Sequence, residues 1–419
     1  MVSRQVGNRS LDPLSAPNPC GARDASRASV ARIALVSTYP PRRCGIATFT
    51  ADLGRALGDH EIVALTGAGE AVATDHRVRH VIRTNVRSDF ARVARSLGEG
   101  SVGAVSVQHE YGIWGANDGE GVLDFLAALS VPAVATLHTV LRHPTVGQDR
   151  VMRGILDAAA AVVVMSRAAA TMLVDRYAAD PSRVQIIPHG VPDLPFVGPE
   201  GAKSRLGMGG RHVLLSFGLV GPGKGYESVI ETMPDVVQSV PNACYVILGA
   251  THPELQRTEG ERYRMQLESM VADLGMTEHV VFIDRFVTPT ELGRWLEATD
   301  VFVTPYPNLD QIVSGTLSYA MAAGKASVST PYLYASEILA DGRGCLVPPD
   351  DPAAMSDALI ELLRDHDLRA AMAQRAYLHG RGMLWSRVAA EYEQLFMRLR
   401  TSSRDLAVLQ VPTTVLQGV

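Results

Sequence analysis

Residues Tyr306–Glu337 read YPNLDQIVSGTLSYAMAAGKASVSTPYLYASE, directly after the apolar run Val301-Phe-Val-Thr-Pro305. That run is short, β-branched and uninterrupted, which suits a strand buried on both faces. A loop with Pro and Asn follows, then the small-residue elbow Ser314-Gly315-Thr316. Leu317–Ala323 reads as a helix, Gly324 stops it, and Ala326–Thr330 starts another short strand. Strand, elbow and helix in that order aim free backbone N–H groups and the positive end of a helix dipole at an anion. An ordinary strand-to-helix turn capped by Ser314 or Thr316 would use the same residues, so the rest of the chain has to separate the two.

Outward from this stretch the alternation continues in both directions. Apolar runs at Ile33–Val36, Ile62–Leu65, Val78–Ile82, Val105–Gln108, Val134–His138, Val162–Ser166 and Val184–Pro188 predict strands. Helical spacing lies between most of them, as in Ile46–Leu57, where Ile46, Phe49, Leu53 and Leu57 share a face. His189–Pro199 is rich in Pro and Gly and reads as a linker. The pattern then restarts with strands at Val213–Phe217, Tyr245–Gly249, Val280–Phe286, Val301–Pro305 and Cys345–Pro348. This predicts an α/β chain of two Rossmann-like doubly wound units, residues 30–190 and 191–383, with the ligand cleft between them at the carboxyl ends of the strands. A last helix is expected over 384–401, free to pack away from the second unit. Residues 1–29 are expected to be a disordered extension and 402–419 a tail.

At 419 residues, with 47% apolar and 20% charged residues, the chain has the composition of a globular protein with two cores. A net charge of −5 without a long basic run argues against nucleic acid as a partner. Cys20, Cys44, Cys244 and Cys345 have no metal-type spacing and read as reduced thiols. The polar start lacks a secretion-signal core, and no apolar run approaches the roughly 18 residues of a membrane span. A cytoplasmic location with at most peripheral membrane contact is the expectation. The sequence assigns no oligomeric state.

Several residues at strand ends are candidates for chemistry. Gly45, opening a helix after Arg42 and Arg43, lets backbone approach a phosphate or sugar; a plain turn is the alternative. His109, Glu110 and Tyr111 follow one apolar strand, and His138 ends the next, each placing a polar group at the rim. A histidine bonded to a loop carbonyl, or a solvated carboxylate, would look the same. Phe217-Gly-Leu-Val-Gly-Pro-Gly-Lys-Gly225 surrounds Lys224 with glycines, a pattern suited to cradling a diphosphate although it is not a P-loop. Arg285 is a second candidate cation. Trp114, in Tyr111–Gly119, is either a sugar platform or packing.

YPPRRCGIATFT, QHEYGIWG, TLHTVL, IPHGVPDLPF, SFGLVGPGKG and DQIVSGTLSYAMAAGKA together resemble a bacterial subgroup of the family-4-type GT-B glycosyltransferases, over nearly all of Arg32–Leu399. The resemblance implies two Rossmann-like domains, a last helix crossing back to the first, and a nucleotide-diphosphate sugar bound mainly on the second without metal or other cofactor. It makes His138 and Lys224 the catalytic pair. Donor contacts are carried onto Gly45, Gly218, Lys224, Arg285, Gln311, Ser314, Gly315, Thr316, Leu317, Tyr319 and Glu337, and the acceptor onto His109, Glu110 and Tyr111. The chain departs from the family at three places. Two glutamates eight apart become Gln311 and Tyr319, with Asp310 adjacent, and an arginine after the diphosphate-strand glycine becomes Leu219.

The expected activity is a retaining glycosyl transfer, with a GDP-sugar donor slightly favoured and a small-molecule or glycan acceptor. Three alternatives stay open. One is transfer of an unusual sugar to a small acceptor such as a thiol. Another is an inactive sugar-nucleotide-binding relative. The third is a phosphorylase or epimerase on the same fold.

Overall fold

The computed structural model describes residues 32–72 and 74–409, with side chains described as far as residue 400. The expected extension over 1–29 lies outside the described residues, as do the last ten residues of the expected tail.

The first unit is a seven-stranded parallel sheet, β1 (Arg32–Ser37), β2 (His60–Thr66), β3 (Val78–Arg83), β4 (Val102–His109), β5 (Ala133–Leu137), β6 (Ala161–Val164) and β7 (Val184–Ile186), ordered β3-β2-β1-β4-β5-β6-β7. The second is a six-stranded parallel sheet, β8 (His212–Phe217), β9 (Ala243–Leu248), β10 (Val280–Ile283), β11 (Val301–Thr304), β12 (Ala326–Ser329) and β13 (Cys345–Leu346), ordered β10-β9-β8-β11-β12-β13. The order reverses between β1 and β4 and again between β8 and β11, and loops diverging at such points open a crevice.

Apolar residues fill these strands because both faces are covered. Along β1, Ala34 and Val36 join one core while Ile33 and Leu35 join another on the opposite face. Along β8, Leu214 and its neighbours Val213 and Leu215 divide in the same way. Trp114 is packing: it is fully buried between Phe90 and Phe125, and its indole N–H donates to the Gln108 carbonyl at 2.9 Å.

Two helical features differ from the sequence reading. His366–Gly380 is a helix that apolar periodicity does not mark, because its Ala and Leu residues lie all round it. It buries Met372 in the second unit's core and Ala376 and Gly380 against the helix Gly315–Ala322; a Cβ on Gly380 would fall 2.9 Å from the Ala322 Cα. The last helix runs Trp385–Leu409, past the expected end at 401, so the expected tail from 402 begins as helix. Extension from an already docked helix costs no new nucleation. Val388, Ala389, Tyr392, Leu395 and Phe396 pack against the first unit's core, and Tyr392 and Thr136 share a hydroxyl bond of 2.9 Å. The 189–199 segment is pinned to this helix, with Val191 N–H donating to Met383 and Trp385 N–H to Val191.

Candidate active site

A cavity of about 380 Å³ opens between the two units. The first unit supplies Gly45, Thr48, Phe49 and Arg55 from one helix, Gly45–Ala56. The second supplies the ends of β8, β9 and β10, namely Phe217–Leu219, Leu248–Ala250 and Arg285–Val287, together with Gly315, Thr316 and Tyr319. His189 enters from the segment joining the units.

The second unit's wall is built for close backbone approach. Gly249 has φ +151°, and a Cβ there would sit 1.9 Å from the Gly218 carbonyl, so β8 and β9 can end side by side only with glycine. Ser314 caps the helix Gly315–Ala322, its hydroxyl accepting from Leu317 N–H at 3.3 Å. The Gly315 and Thr316 N–H groups, at the first turn, have no intrahelical acceptor and border the cavity. Thr316 Oγ1 lies 2.9 Å from the Tyr306 hydroxyl, which accepts from Lys224 Nζ at 3.3 Å while the ammonium stands 4.4 Å over the same ring. Burial alone would raise the Tyr306 phenol, but the Lys224 charge and the Thr316 and Ser314 hydroxyls hold it below its ordinary value. Lys224 is therefore outside the cavity wall and one hydroxyl away from Thr316, which is in it.

Of the donor candidates, Gly45, Gly218, Arg285, Gly315, Thr316 and Tyr319 line the cavity. Arg285 arrives already paired with both oxygens of Glu291, the Nη1–Oε2 distance being 2.6 Å. Tyr319 reaches across the cleft and donates to Asp52 Oδ2 at 3.0 Å; burial and the Asp52 charge push its phenol far above the usual range.

Other donor candidates do not line the cavity. Leu317 is fully buried and its N–H is taken by Ser314. Gln311 folds back, Nε2 donating to the Val313 carbonyl at 2.9 Å. Neighbouring Asp310 pairs with Arg142 of the first unit at 3.1 Å. Glu337 also leaves the donor side: its carboxylate accepts from the Arg167 and Ala168 N–H groups at 2.9–3.3 Å, capping a first-unit helix that lacks an acid in its first turn.

None of the acceptor candidates lines the cavity. His109 is fully buried with neither ring nitrogen hydrogen-bonded among the described residues, and burial holds its pKa down to about 3. Glu110 accepts from Tyr111 N–H and Thr139, and burial raises its carboxyl. Tyr111 packs into the core with its hydroxyl on the Gln148 carbonyl. His138 is one ring short of the cavity. Its Nε2 lies 2.9 Å from Gln108 Oε1, Phe49 stands edge-on to it at 4.9 Å, and burial pushes its pKa down to about 3.

Sequence reasoning passed over His189, Thr48, Phe49 and Arg55. In sequence His189 reads as the start of a linker, yet it follows an apolar strand as His109 and His138 do, and that repeated position is the available signal. Among the described residues no three His, Cys, Asp or Glu side chains form a metal-binding group, and no helix is long and apolar enough to cross a membrane.

Each half of the chain matches one family model. Residues 44–193 match Glycosyltransferase Family 4, and 211–365 match Glycosyl transferases group 1. A D-inositol 3-phosphate glycosyltransferase of Nocardioides sp. is 26% identical over 66% of this chain and 64% of its own length, so the chain spans just under two-thirds of that relative. A GDP-mannose-dependent alpha-(1-6)-phosphatidylinositol monomannoside mannosyltransferase of Mycolicibacterium smegmatis is 27% identical over 81% of this chain and 90% of its own. Among solved structures, Anabaena HepE in complex with UDP superposes with a TM-score of 0.73 at 16% identity, covering 88% of this chain and 100% of HepE. Sucrose-phosphate synthase of Thermosynechococcus elongatus gives 0.72 at 16%, with the same coverage. The chain thus has the GT-B fold, with a match to the Glycosyltransferase Family 4 model in its first unit and to the Glycosyl transferases group 1 model in its second.

Proposed function

We propose that this chain moves a sugar from a nucleotide-diphosphate donor to a small-molecule or glycan acceptor with retention of anomeric configuration, and that GDP is the favoured nucleotide. One observation carries the reading. The Gly315 and Thr316 N–H groups and the Thr316 hydroxyl border one edge of a largely apolar slot, and the Lys224 ammonium stands behind them, joined to Thr316 through Tyr306. A diphosphate suits the donors and the cation, and a base suits the slot between Phe217, Phe286 and Leu292. The GDP preference is supported by the mannosyltransferase relative, whose name specifies GDP-mannose.

In the proposed reaction the bond between the anomeric carbon and the diphosphate oxygen breaks, and the acceptor oxygen bonds to that carbon on the same face. The acceptor proton passes to the departing phosphate oxygen. Lys224 and the helix N-terminus stabilise the charge that develops on the leaving group, which requires no side-chain nucleophile and no metal.

Thermal stabilisation by GDP, UDP, ADP and TDP, without metal and then with magnesium, tests this. A nucleotide at about 100 times its dissociation constant adds roughly 2.7 kcal/mol. A shift with GDP alone, unchanged by magnesium, is expected. A shift with another nucleotide only would overturn the GDP preference, and a shift that needs magnesium would overturn metal independence. No shift with any of them would overturn the donor site.

A further inference from the structure

Sugars and riboses present hydroxyl groups that need acceptors, and no carboxylate side chain lines the cavity among the described residues. Of the candidates that could have supplied one, Asp310 is paired with Arg142 and Glu337 caps a first-unit helix. Asp52 lies behind the wall, held by Tyr319 and Arg55.

One side chain in the cavity presents a bare nitrogen instead. His189 Nδ1 lies 2.8 Å from the Gly190 carbonyl oxygen. A carbonyl only accepts, so Nδ1 carries the hydrogen and Nε2 of the neutral ring is a free lone pair. Burial pushes the ring's pKa down to about 4 despite the Gly190 bond that favours the charged form, so it is neutral at pH 7. Nε2 faces the start of the helix Gly315–Ala322: a Cβ on Gly315 would fall 2.9 Å from it, nearer than from any other atom of the ring. Three rings fix its orientation, Phe49 of the first unit at 5.2 Å, Tyr319 of the second at 6.4 Å and Trp385 of the last helix at 6.1 Å. Each comes from a different part of the chain, so the ring is placed by the assembled cleft and not by its own loop.

We propose that His189 Nε2 accepts a hydrogen bond from a hydroxyl of the bound nucleotide sugar, supplying from the joint between the units the acceptor that Gln311 and Tyr319 do not. The assignment rests on the donor reading above and adds the residue that orients the donor. The hydroxyl belongs either to the ribose or to the transferred sugar, and the two are separable because only one of them is present in the free nucleotide.

Calorimetric titration of the whole chain with GDP and with GDP-mannose tests it, using His189→Phe, which keeps a ring without an acceptor, and His189→Asn, whose amide oxygen restores one. Melting curves establish that both variants fold, and His189→Leu replaces the Phe variant if that one does not. Loss of one neutral hydrogen bond should weaken binding of GDP-mannose by about three- to tenfold in the Phe variant, with most of it recovered in the Asn variant. An equal loss for GDP assigns the ribose, and a loss confined to GDP-mannose assigns the sugar. Unchanged affinity for both ligands in the Phe variant, or an Asn variant as impaired as Phe, overturns the proposal. A wild-type chain that binds neither ligand overturns the GDP preference, which is a different result, and the nucleotide that gave the thermal shift, with its nucleotide sugar, then takes the place of GDP and GDP-mannose in the same titrations.

Discussion

The stretch Tyr306–Glu337 divides into two regions that do opposite work. From Ser314 its first turn faces the cleft: a capped helix N-terminus with Gly315 and Thr316 N–H groups and a threonine hydroxyl that meets the Tyr306 phenol, on which Lys224 rests. From Asp310 to Val313 it faces away and binds the other unit. Asp310 pairs with Arg142, the Ile312 carbonyl accepts from Ser166, and the Ile312 side chain is 3% exposed within the first unit's core. Glu337, at the far end, caps a first-unit helix. The same segment thus combines a helix N-terminus at the cleft with a joint to the first unit. Its carboxylates serve the joint and none of them lines the cavity.

That contrast can be broken by experiment. The largest effect is expected for Lys224→Ala, which removes a cation that stabilises the leaving group and should lower kcat by about 10²–10³-fold. Its melting temperature should hardly move, since among the described residues the ammonium meets one hydroxyl and one ring face. Equal losses in rate and stability would make Lys224 structural. Ile312→Ala should do the reverse, costing about 2–5 kcal/mol in denaturant unfolding because it empties a site in the first unit's core. An unchanged midpoint would mean the loop does not act as a joint.

Acid should loosen the first unit and the cleft together. His109, His138 and His189 have folded pKa values lowered by burial to about 3, 3 and 4, so below their unfolded value of about 6.5 the unfolded chain binds more protons. Stability is then present above about pH 6.5 and is lost as pH falls toward 4. Glu110, whose carboxyl burial raises, opposes this in part. Melting temperatures measured from pH 7 to pH 4.5 should fall, and His189→Asn should flatten the slope. The smallest effect is expected for Gln311→Glu. It loses the bond to Val313 at a cost of about 1 kcal/mol and leaves nucleotide affinity unchanged, because the side chain does not reach the cavity. A tightened donor affinity would place position 311 in the site after all.

Periodicity made the architecture legible. Strands such as Ile33–Val36 are continuously apolar because helices cover both sheet faces, and that is a local signal of a global fact. The glycine positions were legible for a related reason: at Gly218 and Gly249 no other residue allows the backbone to close, so composition at the strand ends records geometry. The helix His366–Gly380 was not legible, because its burial depends on a neighbour too close for large side chains and the resulting alanine pattern has no apolar face to detect.

The candidate site split along the same line. Residues whose backbone does the work, such as Gly45, Gly315 and Thr316, keep their place whatever the neighbouring side chains do, and all three line the cavity. Residues whose side chains were to do the work depended on which partner reached them first. Glu337 found a helix N-terminus, Asp310 an arginine, Arg285 a glutamate, and His109 the core. The sequence by itself therefore determined two parallel sheets, the segment that joins them and the small-residue elbow at the start of a helix, because periodicity and backbone sterics are local. Only the tertiary structure decided which polar side chains face the cleft, and that it was His189 in the joint. A side chain's hydrogen bonds are settled by competition among groups far apart in the chain, and no spacing encodes the outcome.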